Sequence, residues 1–335
     1  LYIYGLNDKA SYTVEETAPG DGFSTEYTNE KGTLAGGSTV TAVVTNTYRA
    51  DTPASLDGEI YLTGAKVLTP RDWQDGDSFT FRLRGVNGAP MPEGTAEGSD
   101  VVYVTLTNEQ AEGAAAGEEV PFHFGDIQFT QPGEYRYVIS EVSSDQLPGM
   151  TYSLARYRVT VNVADNHDGS LKIESVDMVQ TYDDLGTAND PAEKAETAVF
   201  TNTFNADSIE WAPEGHKNYS SNSGGYALEK DMFHFQITAT GDNADEAPQF
   251  AETVVGNALN GDIAFQPAQI TADMVGNTYT YEVKEVIQKD GEWVPVAEAV
   301  APDGTGAYVQ DGMTYDGSTQ TFSITVGVNE AGALT

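Results

Sequence analysis

The segment YRYVISEV (135–142) returns as YTYEVKEV (279–286), and other segments recur around it in the same order. GDIQF (125–129) and GDIAF (261–265) lie upstream; MTY follows at 150–152 and 313–315, with YRVTVNV (157–163) or FSITVGV (322–328) after it. Further upstream, GAK (64–66) and GHK (215–217) each precede an alternating aromatic run, FTFRL (79–83) or FHFQI (233–237). Ordered self-similarity of this kind marks tandem units of one architecture. Inside each segment apolar and polar residues alternate with period two, as in a strand with one buried face. No segment shows a sustained helical period, so the chain reads as all-β.

The copies begin near 58 and 207. The organisation expected is residues 1–49 as the C-terminal part of a related sandwich, 50–57 as linker, 58–206 as a complete domain, and 207–335 as a second copy that stops before its last strand. The segment NADSIEWAPEG (205–215) also reads as connecting chain. With no initiator methionine or signal peptide, the sequence reads as a window on a longer protein.

The formal charge of −36 opposes binding to nucleic acid or to an anionic membrane surface. No apolar run is long enough to span a bilayer. With no cysteine, disulfides, thiol catalysis and cysteine metal sites are excluded, and any covalent staple must use other chemistry.

Strand parity singles out three polar groups. In 135–142, Tyr135, Tyr137, Ile139 and Glu141 share a face, so a carboxylate lies on the aromatic side. Tyr279, Tyr281, Val283 and Glu285 do the same in the next copy, and Tyr12, Val14 and Glu16 in the first unit, which selects Glu16 over Glu15. VFTNTF (199–204) puts Asn202 with Phe200 and Phe204, and VVTNTY (43–48) puts Asn46 with Val44 and Tyr48. Lys66 falls with Ile60, Leu62 and Leu68, although the opposite face, with Tyr61, Ala65 and Val67, is also fairly apolar. Buried lysine, glutamate and asparagine are costly unless they meet one another. The alternative is an edge strand whose polar groups reach water.

In this order, G-x-K, an aromatic strand, Y-x-Y-x-[IV]-x-E-V and F-x-N-x-[FY] resemble the pilin isopeptide-linkage domain of Gram-positive backbone pilins and surface adhesins. Residues 1–48 resemble the end of a collagen-adhesin B-type domain. The resemblance implies tandem immunoglobulin-like β-sandwiches in an extended rod. It also implies a self-formed amide: Lys66 as nucleophile, Asn202 as electrophile, Glu141 as the acid/base that polarises the Asn202 carbonyl and shuttles protons, with ammonia leaving. Burial favours this chemistry, because it frees a lysine amine and keeps a carboxyl protonated. The second copy supplies Lys217 and Glu285 with its asparagine beyond residue 335; the first unit supplies Glu16 and Asn46, and Lys9 and Lys31 sit in turns. The implied role is structural, a stalk or pilus-shaft segment of a cell-wall-anchored extracellular protein whose partners are neighbouring domains or subunits of the same fibre. Each domain reacts once, so no enzyme is expected.

A binding module for a host glycoprotein or glycan is the alternative, with the insertion 286–312 and its Trp293 as the first place to look. DNHDGSLKIESV (165–176) has an EF-hand-like flavour but lacks the terminal glutamate and reads as a hairpin turn. The sequon NYS (218–220) says little without a host. The four histidines have no metal-ligand spacing, and no cofactor motif is present.

Overall fold

The computed structural model describes residues 2–143, 147–222 and 225–335. Among them helix is limited to single turns, and strands dominate throughout.

Residues 54–204 build two facing sheets over one core. The larger sheet runs Ala188–Ala195, Leu171–Tyr182, Arg156–Asp165, Gly133–Val142, Ser78–Val86, Val101–Thr107, all antiparallel. The smaller runs Met150–Thr151, Ala198–Phe204, Thr63–Thr69, Glu119–His123. Alternation drives the packing. In Ala198–Phe204 every second residue is buried, and Phe200 meets Phe81, Phe122 and Tyr157 from the surrounding strands. Phe81 stacks on Phe122 with centroids 3.9 Å apart.

Strands 63–69 and 198–204 are parallel neighbours, with Lys66 opposite Phe200 and Leu68 opposite Asn202. Parallel neighbours need a crossover connection; here nearly the whole domain serves as that connection. An early strand and the closing strand therefore lie side by side at the centre of the smaller sheet.

The stretch 50–57, read as linker, supplies a strand. Ala54–Leu56 pairs with Ile127–Phe129, and Ala54 and Leu56 are buried in the core. A short strand flanked by proline and aspartate carries too few residues for its period to register in sequence. Ile60 does not share the face of Lys66, because Gly58–Tyr61 forms a helical turn and leaves Ile60 exposed.

Residues 205–215 likewise belong to the following unit. Ile209–Trp211 pairs with Ala268–Ile270, and Trp211 packs on Phe250, Tyr281 and Phe322. The main sheet there joins Val254–Gly256, His234–Thr240 and Thr278–Lys289, with Glu292–Pro295 and Thr319–Thr325 also on the last. Pairing corrects one repeat landmark. GDIQF leads into the strand that pairs with 54–56, whereas Asp262–Ala264 of GDIAF pairs with Glu214–His216, the place held by Glu119–His123 in the preceding copy. The likeness of those two pentapeptides is therefore not positional.

Residues 2–48 form two small ladders, Ser11–Thr13 with Lys31–Thr33 and Phe23–Thr28 with Val43–Tyr48. The DNHDGS segment is a hairpin turn between the strands ending at Asp165 and starting at Leu171, and it holds this first unit. Tyr48 donates from its hydroxyl to Asp165 Oδ1 at 2.6 Å, and the Gly169 N–H donates to that hydroxyl at 3.3 Å. Gly22 and Gly169 cross at closest approach, where a Cβ on Gly169 would lie 2.8 Å from Gly22 Cα.

Candidate functional site

Lys66 sits on a central strand, so its side chain has no route to water. It is fully buried, as is Asn202, and the Glu141 side chain has no exposed surface. That disposes of the edge-strand alternative for this copy. Glu141 reaches across from the larger sheet and bridges the other two. Lys66 Nζ lies 3.3 Å from Glu141 Oε2 and donates to the Phe200 carbonyl at 3.2 Å; Asn202 Nδ2 donates to Glu141 Oε1 at 2.8 Å. The Phe79 ring covers Nζ at 4.7 Å.

Burial governs the protonation of the pair. Desolvation lowers the Lys66 amine from 10.5 to about 8, against an opposing pull from Glu141. Desolvation likewise raises the Glu141 carboxyl, opposed by Lys66 and by the Asn202 hydrogen bond. Both shifts favour a neutral amine beside a neutral acid.

One part of the expected chemistry changes. Glu141 faces the amide nitrogen of Asn202, the leaving group, and not its carbonyl. The carbonyl oxygen instead accepts the backbone N–H of Ser153 at 2.7 Å. A backbone N–H can only donate, so this contact also fixes which end of the amide is oxygen. Ser153 carries no sequence signal, since the group that matters is a backbone one; its place directly after MTY is the only pointer.

In the following copy Lys217 Nζ meets Glu285 Oε2 at 2.8 Å beneath the Phe233 ring. The Asp316 N–H also donates to Oε2, at 2.9 Å, while Oε1 is buried with no hydrogen-bond partner. Oε1 is the counterpart of the atom that receives Asn202 in the preceding copy. Beside it lies a cleft of about 1160 Å³ bounded by Trp211, Lys217, Phe235, Glu285, Asp316 and Phe322.

The first unit brings Glu16 and Asn46 together, with Asn46 Nδ2 donating to Glu16 Oε1 at 2.9 Å and Thr25 Oγ1 donating to Asn46 Oδ1 at 2.8 Å. Glu15 stays exposed. The inward placement expected for Asn46 does not hold: the strand 43–48 is exposed along all but its last residue, Asn46 included. Lys9 sits in a turn at φ +62°, as expected, whereas Lys31 does not: it opens the strand Lys31–Thr33 opposite Thr13, and its side chain meets Glu30 at 3.7 Å on the surface. Trp293 is half-buried and stacks on His234 with centroids 4.3 Å apart.

A family of domains described as Spy0128-like and isopeptide-containing matches residues 62–205 and 213–335. The chain belongs to this family. The two matched segments hold the Lys66 and Lys217 sites respectively. A pilin of Streptococcus pyogenes serotype M1 is 27% identical over 127 residues, 34% of this chain and 37% of the pilin. The chain thus spans well under half the length of that curated relative. Among solved structures, the major pilin of Streptococcus pyogenes aligns over 69% of this chain and 82% of its own at 20% identity and a TM-score of 0.34. The T-13 major pilin from the same species aligns over 72% and 85% at 18% identity and a TM-score of 0.31.

Proposed function

We propose that this chain is a load-bearing segment of a Gram-positive surface fibre, a pilus shaft or adhesin stalk, and that its 54–204 sandwich is locked by a self-formed Lys66–Asn202 amide. The observation that carries the reading is the buried set of Lys66, Glu141 and Asn202. An amine, a carboxyl and a primary amide sealed between two sheets, with the carboxyl in contact with both others, form a costly arrangement whose chemistry is amide exchange. The carboxyl spans nucleophile and leaving group, so it can take a proton from Nζ and give one to Nδ2. Neighbouring domains or subunits of the same fibre are its partners, outside the cell and anchored to the wall. Glu285 and Lys217 form the same half-site in the following copy, and Glu16 with Asn46 the complementary half in the first unit. The adhesin reading has less support: Trp293 is half-buried and spends a ring face on His234.

The lysine and asparagine strands lie side by side, so tension that enters near residue 58 and leaves near residue 206 passes through the new amide and not through the sheets. Single-molecule pulling on the full chain should show no extension from residues 66–202. Release of that contour length at forces typical of unstapled sandwiches would refute the load-bearing role.

A further inference from the structure

We propose that the backbone N–H of Ser153 is the oxyanion donor for the Lys66–Asn202 condensation, and that Asp184 is the positioning residue holding it there. The inference rests on the reading of the three buried groups given above. When Nζ attacks Cγ of Asn202, the carbonyl electrons move onto Oδ1. Glu141 lies on the nitrogen side of that amide and cannot meet this charge. The Ser153 N–H, 2.7 Å from Oδ1, can, and it is within the range that stabilises a developing oxyanion. Ser153 is itself buried, so water does not compete for the oxygen.

Asp184 connects the donor to the electrophile. Its Oδ1 accepts the Ser153 hydroxyl at 2.5 Å and the Thr201 N–H at 3.0 Å, one residue before Asn202. Its carbonyl accepts the Leu154 N–H at 2.9 Å. One residue between two strands of the larger sheet thereby fixes both the donor turn and the asparagine strand. The following copy supplies an independent observation. Asp316, which also directly follows MTY, sends its N–H to Glu285 Oε2 at 2.9 Å. In both copies this chain position aims a backbone donor into the reacting centre.

The step balances without any co-reactant. Nζ forms the bond to Cγ and gives one proton to the Glu141 carboxyl; the carboxyl gives one to Nδ2; the Cγ–Nδ2 bond breaks and ammonia leaves as the carbonyl re-forms at Oδ1. Ser153 transfers nothing and only stabilises the oxygen.

The test uses the full chain and three variants, made by cell-free synthesis and moved to buffers of stepped pH, with intact mass reporting ammonia loss over time. Asp184→Ala should remain folded by circular dichroism and mature about 100-fold more slowly, the usual cost of losing an oxyanion donor. Asp184→Asn keeps the Oδ1 acceptor and should restore the rate to within several-fold, with the pH profile of the unmutated chain. Asp184→Asn as slow as Asp184→Ala with a displaced profile would mean that Asp184 acts by its charge on Lys66 and Glu141, and would overturn the proposal. So would a folded Asp184→Ala that matures at the unmutated rate. If Asp184→Ala does not fold, Ser153→Ala decides: loss of its tie to Asp184 should slow maturation about tenfold, and an unchanged rate would overturn the proposal. An unmutated chain that never loses ammonia would instead refute the underlying Lys66–Asn202 reading.

Discussion

Replacing Glu141 by glutamine changes the candidate site least in shape and most in chemistry. The side-chain oxygen can still accept Asn202 Nδ2, now 2.8 Å from Oε1, and the sandwich keeps its packing, but the proton carrier is gone. The expected product is a folded chain without the amide. The stability lost is then the loop-closure contribution. Lys66 through Asn202 encloses 137 residues, counting both ends. The chain-entropy relation developed for disulfides gives about 5 kcal/mol at 25 °C for a loop of that size. For a domain of this length each kcal/mol moves Tm by about 3 °C, so the fall should be about 15 °C. Differential scanning calorimetry of the full chain, with intact mass on the same samples, reads both quantities. A Glu141→Gln chain that still loses ammonia would refute the role given to the carboxyl. A chain that keeps its full mass with an unmoved highest transition would refute the loop-closure reasoning while leaving the chemistry intact.

Lys217 should remain a free amine in the chain of 335 residues, readable by peptide mapping after amine labelling under denaturing conditions; a cross-linked Lys217 would overturn its assignment as half of a site. Asn202→Ala should trap Lys66 and Glu141 unreacted and make stability depend on pH in two opposed windows. The lowered Lys66 value means the unfolded chain binds more protons between about 8 and 10.5, so stability rises with pH there, by about 3 kcal/mol. The raised Glu141 value means the folded chain binds more protons just above 4.5, so stability falls as pH rises through that window. Urea titrations across pH check both signs, and the bonded chain should lack the upper window. Gly169→Ala should cost about 1–2 kcal/mol in hairpin strain, since its φ of +86° is left-handed. It should also loosen residues 2–48, because the added Cβ meets Gly22; faster proteolysis of that segment, with the 54–204 core unaffected, is the expected result.

Strand parity carried most of what could be foreseen. Period two is enforced wherever one face is buried, so counting residues places Glu141, Asn202 and Glu285 on their faces. Lys66 was harder, because Thr63–Thr69 has buried neighbours on both sides and only Leu62 and Leu68 marked the right face. Parity fails where burial fails: Asn46 has the same sequence frame as Asn202, but its strand is exposed. Short strands such as Ala54–Leu56 and Ile209–Trp211 hold too few residues to show a period, so their sequences read as linkers. Repeated words are no substitute for pairing, as GDIQF and GDIAF show by standing against different strands. Ser153 has no marker beyond its place after the repeated MTY, because the group concerned is its backbone N–H, and Asp184 has none, because its contacts arise from a turn formed only in the folded chain.

The three buried side chains, Lys66, Glu141 and Asn202, are proposed to make one covalent bond. Intact-mass measurement of the unmutated full chain under denaturing conditions tests it most directly. The expected mass is one ammonia below that of the sequence, with a tryptic map joining the peptides of Lys66 and Asn202. A folded chain at its full sequence mass would contradict it.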